Sequence, residues 1–428
     1  MWNRPPPLLR TRGRPALAVL CALASCTVKD GELGRRRGFD GGSSCGLASP
    51  LVHVQGQPTC TGRLAGSYLS NALCTCGNVQ VAGSLATRGF DSRQGAFQPS
   101  KRDQGGASVG VNGSYISSLA LGADIGGSFA IAGMEDLMVR GSLGVRGDLW
   151  AAGSVGVVGA LLVARNAWFG GNVGVVGAFT VGGALHHGGT VMGVVLPSSD
   201  QPGAVTVPKP CPCDDGDLLD VGAIVEAARV DNDNGNLGIS SDQFASVTGS
   251  IEWPVPCGRA YLSGIGGAGS LVVHVTGMSA ILVDGSIGKI GDLIFDVAPG
   301  AEIDVFVKGD VATLGRLAPP SSDRPSAGRF WVGGSQTITL AGPWAGNLYA
   351  PHANVSAVVA PVLGGSIFAN AFSSDGSTTV VFDRAIADSG PTCDAPQPVG
   401  ECKACGVCSG GNAWETLPVY TQGSFGGT

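Results

Sequence analysis

Charge is scarce in this chain. Asp, Glu, Lys and Arg make up 14% of its 428 residues, with 26 basic against 32 acidic side chains, where soluble proteins average about 25% charged. A formal charge of -6 excludes a typical nucleic-acid binder, because phosphate neutralisation needs a Lys/Arg surplus. Low charge joined to an ordinary hydrophobic fraction of 44% also excludes disorder over most of the length. Histidine is sparse. His53, His186, His187, His274 and His352 are scattered, and no HExxH, G-x-S-x-G or P-loop signature is present. The apolar run Ala16–Ala24 is too short to span a bilayer as a helix, which needs about 20 residues. These absences point to a protein without catalytic activity, long enough for two or three domains.

What is abundant is glycine: 71 residues, against about 7% in average usage. The glycines do not recur every third residue, so collagen is excluded. Instead Gly141, Gly147, Gly153 and Gly159 are six apart, Arg165 breaks the series, and Gly171, Gly177 and Gly183 resume it in phase. Two residues after each position stand Leu143, Leu149, Val155, Leu161, Ala167, Val173, Phe179 and Leu185. Four residues after stand Val145, Ala151, Val157, Val163, Phe169, Val175, Val181 and His187. Side chains at i and i+2 share one face of a strand, so each hexad reads as a short strand with two inward residues and a glycine corner. Three hexads make an 18-residue coil, and the reading is a parallel β-helix over 77–188. No 3.6-residue stripe is present to support helices.

The second half reads as another β-rich, solenoid-like domain with one short helix, so the fold class is all-β. The helix is Leu219–Ala228. Short β-prone runs follow at about ten-residue spacing: Arg259–Ser263, Leu271–Val275, Ala280–Val283, Leu293–Val297, Ile303–Val307, Phe330–Val332, Thr337–Leu340, Asn347–Ala350, Ser366–Ala369 and Thr378–Phe382. The organisation expected is a signal peptide (1–25), a tether (26–44), a Cys-rich cap (45–76), the β-helix (77–188), a Pro/Cys hinge (189–218), the second domain (219–386) and a Cys-rich tail (387–428). Gly264–Gly269 satisfies G-x-G-x-x-G, but a strand-like run follows it, so a solenoid corner is expected and no dinucleotide site.

Arg4, Arg10, Arg12 and Arg14 before the apolar run form the n-region of a secretory signal. The segment Leu23-Ala24-Ser25-Cys26 resembles the lipobox of bacterial lipoproteins. That resemblance implies lipidation of Cys26, a membrane partner through the lipid, and, with Thr27 following, an address at the outer membrane or cell surface. Cleavage removes four arginines and no acid, lowering 26 basic residues to 22. The mature chain keeps eleven cysteines, an odd number: Cys45, Cys60, Cys74, Cys76, Cys211, Cys213, Cys257, Cys393, Cys402, Cys405 and Cys408. In an exported protein they read as disulfides. Local staples are expected within 45–76 and within 393–408, with Cys257 as candidate partner of the Cys211-Pro-Cys213 hinge.

The 139–188 repeat is similar to bactofilins, β-helical bacterial proteins that polymerise end to end. Gly300–Gly309, Gly346–Val355, Gly365–Ala369 and Val380–Asp383 resemble the choice-of-anchor A or collagen-adhesin-like domain of secreted bacterial surface proteins, with His352 in place of the usual Asn. Together these resemblances imply a structural or adhesive envelope protein whose partner is a surface glycan or protein. The alternatives are a self-assembling bactofilin-like scaffold and a carbohydrate-active β-helix enzyme. Trp331, Trp344 and Tyr349 are the candidate binding contacts. Asp231 and Asp233, in Asp231-Asn232-Asp233-Asn234-Gly235, are candidate calcium ligands. An EF-hand register is absent there, and an Asx turn is the other reading. No other cofactor is expected, and the oligomeric state is left open.

Overall fold

The computed structural model describes residues 49–389 apart from 99–103, 118–121, 135–136, 319–322 and 359–361, together with the backbone of 402–404 and 407–408. Cys26, the signal peptide and the tether lie outside the described residues. The architecture is a parallel β-solenoid of about 13 turns.

The hexad positions behave as the pattern requires. In the glycine-hexad coils, Leu143, Leu161 and Phe179 stack in register at 18-residue intervals. The inward residues two and four places after each corner are buried from Leu143 to Leu185. Glycine is obligatory where successive corners nearly touch. At Gly177 the φ is +138°, and an added Cβ would lie 1.9 Å from the carbonyl oxygen of Gly159, one coil below. A polar column lines another corner. The side chains of Ser108, Ser128, Asp148 and Asn166 each accept a backbone N–H from the coil above, at 2.9–3.2 Å.

The second half is solenoidal as well. Gly258–Leu262, Met278–Val283, Glu302–Val307, Gly328–Val332 and Asn347–Ala357 stack in parallel on one face. A four-stranded parallel sheet, begun by Ser250–Val255, forms a neighbouring face. The two halves then join in an order the chain does not follow. Leu73–Thr75 pairs with Ile367–Ala369, Val79–Val81 with Phe372–Ser374, and Leu85–Phe90 with Thr378–Asp383. All the pairings are parallel. The stack therefore begins at residues 247–262, rises through the second half to 383, continues upward from 73, and ends at Val191–Pro202. Residues 51–52 lie beside the lowest coil, but the chain first contributes a coil in the middle, at Leu73; it then climbs to the top, returns, and completes the stack from the bottom.

The region 189–218, expected as a hinge, divides in two. Val191–Pro202 is a strand of the last coil, paired in parallel with Val173–His187. Prolines are tolerated there because a terminal strand has no neighbour above that needs their N–H. Only 203–218 is a connection. It starts where Gly203 N–H donates to His187 O and ends where Leu219 N–H donates to the Tyr349 hydroxyl, both at 2.9 Å. Those anchors lie seven coils apart, roughly 34 Å at about 4.8 Å per coil.

Two disulfides pin this descending segment: Cys74–Cys211 and Cys76–Cys213, both spanning 137 residues. They correct the expectation of local staples for these cysteines, and Cys257 is not the partner of the hinge pair. Cys60 and Cys257 are themselves disulfide-bonded. Two C-x-C motifs running side by side bring both sulfur pairs within reach at once, which sequence proximity alone cannot do for C-x-C. The disulfides fit an oxidising compartment outside the cytoplasm. Among the described residues no helix is long and apolar enough to cross a membrane.

Candidate functional site

One outward ladder runs the length of the face that begins with Gly258–Leu262: Tyr261, Leu282, Phe306, Trp331, Tyr349, Phe368, Cys74, Gly110, Ala130, Trp150, Trp168 and His186. Its lower half is covered. Helix Val221–Ala228 turns Val221, Ile224, Val225 and Ala228 inward, and Tyr68 of helix Thr61–Tyr68 meets Tyr349 edge-on at 5.1 Å. Trp331 and Tyr349 are accordingly fully buried, and Trp344, on the second face, nearly so. As surface contacts these three are corrected. Trp331 donates its indole N–H to Asp304 at 2.9 Å, Trp344 donates to Gly346 O at 3.1 Å, and the Tyr349 hydroxyl accepts from Leu219.

The upper half of the ladder holds rings the sequence reading passed over. Trp150 and Trp168 stack at 5.0 Å, and Trp168 and His186 at 5.3 Å, with planes within 7° of parallel. Their 18-residue spacing at outward hexad positions is the signal that could have found them. The stacking occupies the ring faces between coils, so the column mainly joins coil to coil.

Asp231 and Asp233 sit at the bottom of the stack. Asp231 forms two hydrogen bonds with the Arg259 guanidinium, at 2.8 and 2.9 Å. Asp233 donates its N–H to Arg259 O and accepts Arg259 N–H, both at 2.8 Å. Asn234 accepts Tyr261 N–H and donates to Tyr261 O, at 2.8 and 2.7 Å. The side chains thus imitate a further strand along the free edge of Gly258–Leu262. Burial pushes the Asp233 carboxyl up, and Arg259 supplies the cation that the acidic loop faces. Among the described residues no group of three or more His, Cys, Asp or Glu is placed to hold a metal. Gly264–Gly269 is the expected corner: at Gly267, φ is +119° and a Cβ would meet Val247 O at 2.2 Å.

A concavity lies on the second face, where the chain leaves Leu85–Phe90. Its cavity is about 710 Å³, with Ala86, Thr379 and Val362 among its lining, Phe90 and Phe97 at one side, and Arg88 and Arg146 also contributing. A second cavity of about 380 Å³ shares Phe90, Phe97 and Val362 and extends to Arg316 and Trp344, so the two form one groove. The loop after Phe90 is firmly held. Asp91 accepts from Arg93 Nε and Nη2 at 2.8 and 2.7 Å, and these bonds hold its carboxyl below the usual range. The buried Asp383 carboxylate accepts the N–H groups of Ser92, Ala385 and Ser326 at 2.9, 3.1 and 3.2 Å. Arg88 is fixed on Asp124 at 2.6 Å, and Arg146 stands 3.7 Å from the same carboxylate. Gln94, Gln98 and Gln104 add amides, each of which can donate and accept. The groove therefore presents apolar rings beside side-chain amides.

Comparison with protein-family models, with curated proteins and with solved structures returns no match.

Proposed function

We propose that the chain is a lipid-anchored protein of the bacterial cell envelope with a structural or adhesive role. The solenoid is its stalk, and the second-face groove is its contact for an extended polar ligand such as a surface glycan. The observation that carries this reading is the position of Leu51 and Val52 beside the lowest coil. Val52 is buried in the core, and Leu51 O accepts from Arg259 of the lowest coil at 3.4 Å. Residues 51–52 therefore stand at the bottom of the stack, and the top lies about 12 coils away, roughly 58 Å at about 4.8 Å each. Two or more acyl chains on Cys26 would anchor the chain stably.

Growth with an alkynyl fatty acid tests the reading. The expected result is a labelled, membrane-associated protein, with label lost in Cys26→Ser. A full-length secreted product that carries no label would overturn it. A self-assembling scaffold is the second reading, and one observation favours it: among the described residues of the topmost coil, Val191 and Pro197, stacked on the buried Val173 and Val181, are only half-buried.

A further inference from the structure

The descending segment 203–218 is built differently in its two parts. The lower part is pinned. Cys211 is buried, its N–H donates to the Asn112 side-chain oxygen at 3.1 Å, and the Asn112 amide donates back to Cys211 O at 2.9 Å. Both disulfides lie here. The upper part has no such anchor. Between Gly203, held by His187 O, and Cys211 the chain drops four coils, from the level of His187 past Phe169, Ala151 and Ile131 to Val111, roughly 19 Å at about 4.8 Å each. Residues 204–208 belong to no helix or strand, and among the described residues they make no hydrogen bond. Lys209 pairs only through its side chain, with Asp214 at 2.6 Å. Ala204, Thr206, Pro208 and Lys209 are exposed, and Val205 and Val207 are half-buried.

An extended backbone with free N–H and C=O groups is the form in which an endoprotease takes its substrate. Main-chain hydrogen bonds align the peptide as an added strand, and pockets read alternate side chains. Exposed, unpaired backbone is accordingly where chains are nicked, whereas in a rung the same groups already pair with neighbouring coils. The residue types narrow the class of enzyme. Bonds to the nitrogens of Pro208 and Pro210 are poor substrates, because the ring replaces the N–H and crowds the nitrogen. Lys209 is thereby shielded from a trypsin-like enzyme. The bonds that remain, between positions 203 and 207, offer Ala204, Val205 and Thr206, which suit a small, apolar specificity pocket.

We infer that residues 203–207 are a processing site for an endoprotease with a small apolar specificity pocket, and that the protein persists after the cut as a two-chain solenoid. The step is hydrolysis of one peptide bond. Water adds across the C–N bond, leaving a carboxylate on the upper fragment and an ammonium on the lower. No rung of the stack contains that bond. The upper fragment keeps the coils from Leu73 to Pro202, the lower keeps those of 247–383, and three parallel strand pairs hold them at the join. Cys74–Cys211 and Cys76–Cys213 then link the fragments. In the uncut chain the second of these bonds closes only a small ring. In the cut chain the pair takes over the covalent connection that the segment provided. This inference is independent of the lipid anchor and of the groove.

The test is limited proteolysis of the full chain carrying Cys26→Ser, with disulfides intact and pancreatic elastase as the probe. The expected result is a cut between positions 203 and 207, read by mass spectrometry from the new N-terminus. The cut protein should keep its cooperative melting transition and separate into two fragments in denaturing electrophoresis only after reduction. Ala204→Pro combined with Thr206→Pro should slow this cut at least tenfold. Neither N–H is hydrogen-bonded and proline suits extended backbone, so an unchanged melting temperature verifies that the variant folds. Protein recovered from its own cells, with protease inhibitors present, should contain the same two fragments, and whole chain alone there would overturn processing. Segment 203–207 left intact after prolonged digestion would overturn the site itself. So would a cut that abolishes the melting transition, or a folded double variant cut here at the original rate.

Discussion

Arg329, on strand Gly328–Val332, is fully buried. Its Nε and Nη2 each lie 2.7 Å from an oxygen of Asp304, and its Nη1 lies 2.6 Å from Glu302. Trp331 donates its remaining polar group to the same Asp304. The cluster shows why an aromatic legible as a ligand contact is a packing residue: its N–H is already used, and its ring stacks on Phe306 at 5.7 Å. Breaking a buried pair by removing one partner strands the other charge. Arg329→Met is therefore expected to cost about 3–5 kcal/mol, read from urea unfolding. A loss below 1 kcal/mol would mean that water reaches Asp304. At this scale the sequence exposed inward residues well, because glycine phase fixes them. It exposed outward residues poorly, since nothing in a hexad states whether its outer face meets solvent or a helix.

Among the elements, the descending segment 203–218 does the most to tie distant parts together. Its disulfides close loops of 137 residues, for which chain entropy gives about 5 kcal/mol. The two are not additive. Once Cys74–Cys211 exists, Cys76–Cys213 closes only a ring of a few residues. Replacing one pair with serine should therefore lower stability little, and replacing both should lower it by roughly 3–5 kcal/mol. Equal losses from each single pair would refute a shared loop. The motifs Cys74-Thr-Cys76 and Cys211-Pro-Cys213 were visible as cysteine clusters, but their pairing depends on a coil standing beside a return segment. The strand Val191–Pro202 was hidden for a related reason. Its prolines suggest a hinge unless the strand is known to be the last in its stack.

For the whole molecule, the main property is that one solenoid is assembled from two stretches of chain in reversed order. Both stretches were legible as repetitive β-structure, the first from its hexads and the second from regularly spaced strands. Their join was not. Each rung of a parallel stack carries similar small and β-branched residues, so sequence gives many coils an equal claim to be neighbours. The specific contacts at the join resolve that degeneracy. Asp383 gathers N–H groups from Ser92 and Ser326, and the Ser366 hydroxyl donates to Asn71 O. The arrangement also ties the candidate groove to the join, since Thr379 and Val362 come from one stretch and Ala86 and Arg88 from the other.

The most direct test of that architecture is a cross-link across the join. Gln80 and Ser373 are register partners on the outer side of adjacent parallel strands. At the spacing of about 4.8 Å between such strands, a pair of cysteines is within disulfide range. The chain carrying Gln80→Cys and Ser373→Cys should yield, after mild oxidation and proteolysis, a peptide pair linked through positions 80 and 373. The native Cys74–Cys211 and Cys76–Cys213 links should be retained. Two alkylated thiols at 80 and 373 with those native links intact would contradict a single stack and separate the halves.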